Sequence, residues 1–200
     1  MLPTQDDGVL SELASKEAEE NMKASHGRIT ATLKDMDKEL PFITGMNSEG
    51  IVHWGFKWGQ AIVDAIGENC ACINKCSHCC YQAVFISKAE ATEIAKFTGR
   101  EMADVGVPLI ESIGLIEESR EKYTTKPCPF LKDGSCSIYE VRPIACRVNI
   151  NLSKQSSLCD TVNHPKASVP YAAIDGFHDN ILMALGLMHP AEDIRGWFPE

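Results

Sequence analysis

The chain has no run approaching the roughly 20 apolar residues that a membrane-crossing helix requires. Its first residues, Met1 to Asp7, lack the basic start and apolar stretch of a secretion signal. An excess of positive charge is missing too: 19 Lys and Arg stand against 28 Asp and Glu, a formal net charge of −9. Phosphates would be repelled over most of such a surface, which argues against non-specific attraction to nucleic acid or to an anionic membrane. Nothing resembles a phosphate-binding glycine loop, a Ser-His-Asp triad or paired catalytic carboxylates, and there is neither an internal repeat nor a low-complexity linker. These absences lead to the expectation of a cytoplasmic protein with no nucleic-acid and no membrane partner.

What remains is ordinary in bulk and unusual in one residue type. With 200 residues, 44% hydrophobic and 24% charged, the chain is long enough to bury a core, so neither disorder nor a fibre fits. Nine residues are cysteine. The stretch Cys72-Ile-Asn-Lys-Cys76-Ser-His-Cys79-Cys80 is followed by Cys128, Cys136, Cys146 and Cys159, each in a loop-like or turn-like setting. Thiolates bind zinc and iron, and so dense a run in a cytosolic protein points to a metal site. A disulfide framework fits poorly with an odd count, no secretion signal and the adjacent pair Cys79-Cys80.

Hydrophobic spacing gives the scaffold. From residue 9 to residue 40, Val9, Leu10, Leu13, Ala14, Ala18, Met22, Ile29, Leu33, Met36 and Leu40 recur mostly at threes and fours as a helical stripe, with His26 filling the one gap, Gly27 a point where it divides and Pro41 the start of a connection. Ile51, Trp54, Trp58, Ile62 and Ile66 make a second stripe, which Gly55 and Gly59 interrupt. Ser87 and Glu90 form a capping box for a helix that reaches Phe97 and stops at Gly99. A further helix is expected over residues 100–122, with a break at Gly106-Val-Pro108. Asp133-Gly134 signals a hairpin that brings Cys128 and Cys136 toward one end of a small loop. Residues 170–187 read as a last helix, and Trp197-Phe198 as a tail that packs back. The expected fold is mainly α: a small helical domain with a short β-hairpin, organised around a cysteine metal site. Residues 1–69 are read as an N-terminal helical region packing on the core, 70–160 as the metal-binding domain, and 161–200 as a C-terminal helix and tail of the same unit.

The first cluster admits two geometries. As a helix, 100° per residue would put Cys72, Cys76, Cys79 and Cys80 within an arc of about 100° and Cys70 on the far side. As a metal knuckle, Cys76-x2-Cys79 turns both sulfurs toward one ion while backbone N–H groups donate to them. Either way Cys70 falls outside, although it competes in sequence with Cys72 for the place of first ligand.

Cys72 to Cys80, Cys128-Pro-Phe-Leu131, Cys136-Ser-Ile-Tyr139 and Arg142-Pro-Ile-Ala-Cys146-Arg147 together resemble the YkgJ-type cysteine-cluster family, a zinc- or iron-chelating domain with a CxxCxxCC signature. One departure is visible: three residues, not two, separate Cys72 from Cys76. The resemblance implies a mainly helical domain whose ligands are Cys72, Cys76, Cys79, Cys80, Cys128, Cys136 and Cys146, and it implies no particular reaction. Cys159 is an eighth candidate outside the resembling motifs, and His78 lies among the cysteines as an alternative donor.

Eight thiols exceed one four-ligand site, so two zinc ions, one iron–sulfur cluster with spare cysteines, or a cluster beside a zinc all fit. Arg142 and Arg147 flank Cys146 as candidate cofactor-binding residues, because guanidinium groups offset thiolate charge and donate to sulfur. Three classes of function follow. The first is an iron–sulfur protein with a redox or enzymatic role, the second a zinc-stapled structural or interaction domain with a protein partner, and the third an iron or zinc storage or delivery protein. Whether the protein is an enzyme stays open at this stage.

Overall fold

The computed structural model describes residues 6–67, 70–72, 76–111, 118, 121–123, 126–160, 163–172 and 176–199. Helix α1 (Asp7–Ile43) starts at Asp6, whose side chain accepts from the Gly8 amide, and buries Leu10, Ala14, Ala18, Asn21 and Ser25 at spacings of three and four. It runs through Gly27 without the expected division. Glycine costs a surface helix only about 1 kcal/mol, and the neighbouring residues clamp this turn: Ser25 Oγ donates to the Ile66 carbonyl at 2.8 Å and Arg28 Nε to the Ala65 carbonyl at 2.9 Å. Pro41 likewise lies inside the last turn, where it removes a single helical hydrogen bond, and the connection begins only after Ile43.

Helix α2 (Ser48–Ile66) is capped by Asn47 and buries Ile51, Trp54, Trp58, Ile62 and Ile66. Its glycines are contact points, not interruptions. A Cβ on Gly55 would lie 2.5 Å from Ile144 Cδ1, so only glycine lets the helix that carries Cys146 pack so closely. Gly59 faces Arg147, whose Cδ would lie 3.4 Å from a Cβ there, an ordinary contact.

The central part of the chain is less helical than its pattern suggests. Strand β1 (Phe85–Ser87) leads into α3 (Lys88–Thr98) through the expected Ser87/Glu90 capping box, and Gly99 ends the helix at φ 68°. Residues 100–106 are not helical; Val107–Pro108 form β2 instead, and helical positions among the described residues resume at 109. The hairpin appears where Asp133-Gly134 placed it, with β3 (Leu131–Lys132) paired to β4 (Ser135–Cys136) and both turn residues at positive φ. Helix α4 (Ile144–Val148) carries Cys146, and α5 (Phe177–Leu185) is shorter than the expected span of 170–187, of which residues 173–175 lie outside the described set.

Strand β5 (Pro190–Asp193) then enters between β1 and β2, antiparallel to both, with Phe85 opposite Asp193 and Val107 opposite Ala191. The short helix α6 (Ile194–Trp197) follows. Neither element carried a readable pattern. The tail does pack back: Trp197 and Phe198 are fully buried beside Ile86, Ile94, Phe130 and Ile138. A separate core of Trp54, Trp58, Ile62, Ile144, Phe177 and Ile181 ties α1, α2, α4 and α5 together. The cysteines lie in the loops and short elements between these two cores. Among the described residues no helix is long and apolar enough to cross a membrane.

Candidate metal centre

Seven cysteines from four separate stretches line one cavity of about 80 Å³: Cys72, Cys76, Cys79, Cys80, Cys128, Cys136 and Cys146, together with Tyr139, Arg142 and Arg147. The hairpin's sulfurs therefore meet those of the upstream run. Residues 73–75 lie outside the described set; 76–77 are not helical and His78–Tyr81 is a single 3-10 turn, so an α-helical face of four thiols does not form there. All nine cysteines are free thiols. Cys70 is buried in the helical core, its thiol donating to the Gly67 carbonyl at 3.6 Å. Cys159, in the 3-10 turn Ser156–Cys159, lies beside the cavity behind Asn151. His78 stands 3.9 Å from a carboxylate oxygen of Asp160 and does not line the cavity.

Local backbone geometry serves the sulfurs directly. Cys76, Cys128 and Cys136 each accept from the amide two residues ahead, that of His78, Phe130 and Ile138 respectively. This is the turn in which amides stabilise thiolate charge. After Cys128 comes proline, which has no N–H, so the next amide is the first that can serve. The Asn151 amide donates to Cys72 Sγ at 3.1 Å, and its side-chain nitrogen reaches Cys159 Sγ at 3.5 Å.

Long-range contacts bring the stretches together, and these were not legible in the sequence. The buried guanidinium of Arg195 pairs with the fully buried Asp193 and donates to the carbonyls of Cys80, Gln82 and Lys126 at 3.1, 3.1 and 2.8 Å. It thus spans the run after Cys80 and the segment before Cys128, whose own amide donates to the Cys80 carbonyl at 2.7 Å. Glu90 spends one carboxylate oxygen on the capping box and the other on the Ile144 amide at 3.0 Å, which fixes the start of α4 two residues before Cys146. The capping box was visible in the pattern Ser87-x2-Glu90; its second attachment had no sequence signal.

Residues 71–164 match the CxxCxxCC family model, described as "Putative zinc- or iron-chelating domain". This segment is similar to a CxxCxxCC domain. Neither a curated protein nor a solved structure matches the chain. The matched segment encloses every cysteine on the cavity and also Cys159, and it begins just after Cys70.

In this cysteine-rich segment most thiols are held neutral by burial. Burial pushes Cys72 up to about 12 and Cys128 up to about 11 and raises Cys76, Cys136, Cys146 and Cys159 as well. Cys79 goes the other way: the Cys80 thiol donates to its sulfur, and Arg142 adds positive charge, so Cys79 ionises early while Cys80 keeps its proton. Arg142 stacks over the Tyr139 ring at 4.0 Å and keeps a buried Nε without a hydrogen-bond partner. Arg147 also lines the cavity, but its nitrogens go to the carbonyls of Arg142 and Glu140 and to Gln60. Burial lowers it to about 10, which leaves it cationic at neutral pH.

These groups fit a soft metal centre. The donor set is sulfur throughout, and Arg142 brings an unpaired donor to the same cavity. Among the described residues no three sulfurs lie within 4.8 Å of one another; the trio of ligand atoms that does is Glu49, His53 and Glu93. That trio is an exposed bridge between α2 and α3, with Lys96 paired to both carboxylates, and it was not singled out in the sequence. The chemistry the cavity offers is thiolate chelation, with proton release as metal binds.

Proposed function

We propose that the CxxCxxCC domain holds an iron–sulfur centre and serves a redox or enzymatic role in the cytoplasm. The observation that carries this reading is the size of the sulfur-lined cavity. Its 80 Å³ is several times the ~10–15 Å³ that one water-sized body needs. Bonds of about 2.3 Å to a single tetrahedral ion call for sulfurs about 3.8 Å apart, whereas these sulfurs surround a space. Arg142 supports the same reading, since a hydrogen-bond donor at a cluster's sulfurs is one means of tuning its potential. The free thiols suit a reducing compartment, and the net charge of −9 disfavours a nucleic-acid partner.

A zinc-stapled domain with a protein partner is the second reading. It draws on the three turns whose amides donate to Cys76, Cys128 and Cys136, which serve zinc equally well. Anaerobic purification followed by an absorption spectrum and assays of iron, zinc and acid-labile sulfide separates the two. Brown protein containing iron and sulfide is expected. Colourless protein with stoichiometric zinc and no sulfide refutes the iron–sulfur reading in favour of the staple.

A further inference from the structure

We infer that the eight sulfurs form two adjoining four-sulfur sites, Cys80/Cys128/Cys136/Cys146 and Cys72/Cys76/Cys79/Cys159, which meet at the Cys79-Cys80 peptide. The inference rests on the domain's chelating role and holds for an iron–sulfur or a zinc occupant alike.

The first set is assembled by contacts among its own segments. The Cys128 amide donates to the Cys80 carbonyl at 2.7 Å, and Arg195 bridges the same two segments. Cys136 lies opposite Leu131 in the hairpin, and the Leu131 amide donates to the Cys128 carbonyl at 2.9 Å, so this tight turn fixes both cysteines together. Glu90 sets the start of the helix bearing Cys146. The second set is joined by one residue: Asn151 donates from its backbone to Cys72 Sγ and from its side chain to Cys159 Sγ.

Packing joins the rest of the second set to these two: the 3-10 turn His78–Tyr81, which holds Cys79, packs on the 3-10 turn Ser156–Cys159, and His78 stands 3.9 Å from Asp160, the residue after Cys159. Cys79 completes the second set because the first already has four members and because its turn packs on the one that holds Cys159, and Cys76 joins it through the short Cys76-x2-Cys79 spacing. Neighbouring side chains on a 3-10 turn leave it about 120° apart. Cys79 and Cys80 can therefore each serve a different centre. Four sulfurs are what a structural zinc ion or a cluster takes.

The test is anaerobic titration of the metal-free protein with Co²⁺, followed by the thiolate-to-cobalt absorption band, which does not count ions held by the exposed Glu49/His53/Glu93 trio. Wild type is expected to saturate at two Co²⁺ per chain, Cys136→Ser and Cys159→Ser at one each, and the double variant at none. Saturation of wild type at one ion overturns the inference, as does Cys159→Ser with wild-type stoichiometry or a folded Cys136→Ser that loses both ions. If circular dichroism shows Cys136→Ser unfolded, Cys146→Ser reports on the same set; if that unfolds too, the wild-type count decides. Lack of sulfide in the native protein would remove the iron–sulfur reading and leave this count untouched.

Discussion

Replacing Arg195 with leucine tests whether the C-terminal tail assembles the metal centre. Asp193 is 0% exposed and Arg195 8% exposed, with 3.1 Å between their charged atoms. Removing one partner of so buried a pair leaves the other charge uncompensated, at a cost of about 3–5 kcal/mol. Against a total stability of about 5–15 kcal/mol this is a large share. For a chain of this size it lowers Tm by roughly 6–20 °C, taking about 2–4 °C per kcal/mol. The guanidinium also joins the Cys80 and Lys126 segments, so metal affinity should fall together with stability. The assays are urea unfolding of the metal-free protein and competition for metal against a chromophoric chelator. The double change Asp193→Leu/Arg195→Leu removes both charges and should be less damaging than the two single costs added, with a coupling of about 0.5–3 kcal/mol. An Arg195→Leu protein that unfolds within about 1 kcal/mol of wild type, with unchanged metal affinity, would refute the reasoning.

Three further outcomes are expected. Gly106 adopts φ +97°, and a Cβ there would lie 2.8 Å from Cζ2 of the fully buried Trp197, so Gly106→Ala should cost about 1–3 kcal/mol in chemical denaturation. Glu90→Ala leaves the buried Ile144 and Ser87 amides unpaired, and it should cost about 2–4 kcal/mol and weaken metal binding through the displaced Cys146 helix; unfolding and chelator competition measure both. Cys128 and Cys72 are pushed from the ordinary 9.0 up to about 11 and about 12, so the metal-free fold keeps their contribution below pH 9.0 and loses it as pH rises through those values. For the same reason metal must displace protons, and apparent affinity should increase between about pH 6.5 and about pH 8; affinity independent of pH would contradict neutral buried thiols.

Local signals survived folding because they depend on contacts a few residues apart. The Ser87/Glu90 capping box and the Asp133-Gly134 hairpin are satisfied within their own segments, and the α2 stripe is set by helical spacing whatever covers it. Gly27, Gly55 and Gly59 misled because a glycine in sequence reads as a breaker. Its actual role depended on what lies across from it: open surface at Gly27, and Ile144 and Arg147 at the other two. β5 was missed for a related reason, since Pro190 to Asp193 carries no clear alternation and is a strand only because β1 and β2 flank it.

The sequence by itself determined the donor chemistry, because thiols at Cys72, Cys76, Cys79, Cys80, Cys128, Cys136 and Cys146 can be counted in any conformation and their type selects soft metals. Tertiary structure decided that these seven share one cavity, that Cys70 is core, and that Cys159 stands behind Asn151. The physical reason is separation along the chain. Arg195 lies 115 positions from Cys80, and Glu90 lies 54 from Ile144. No local periodicity records contacts so distant, which form only once two hydrophobic cores have brought their segments together.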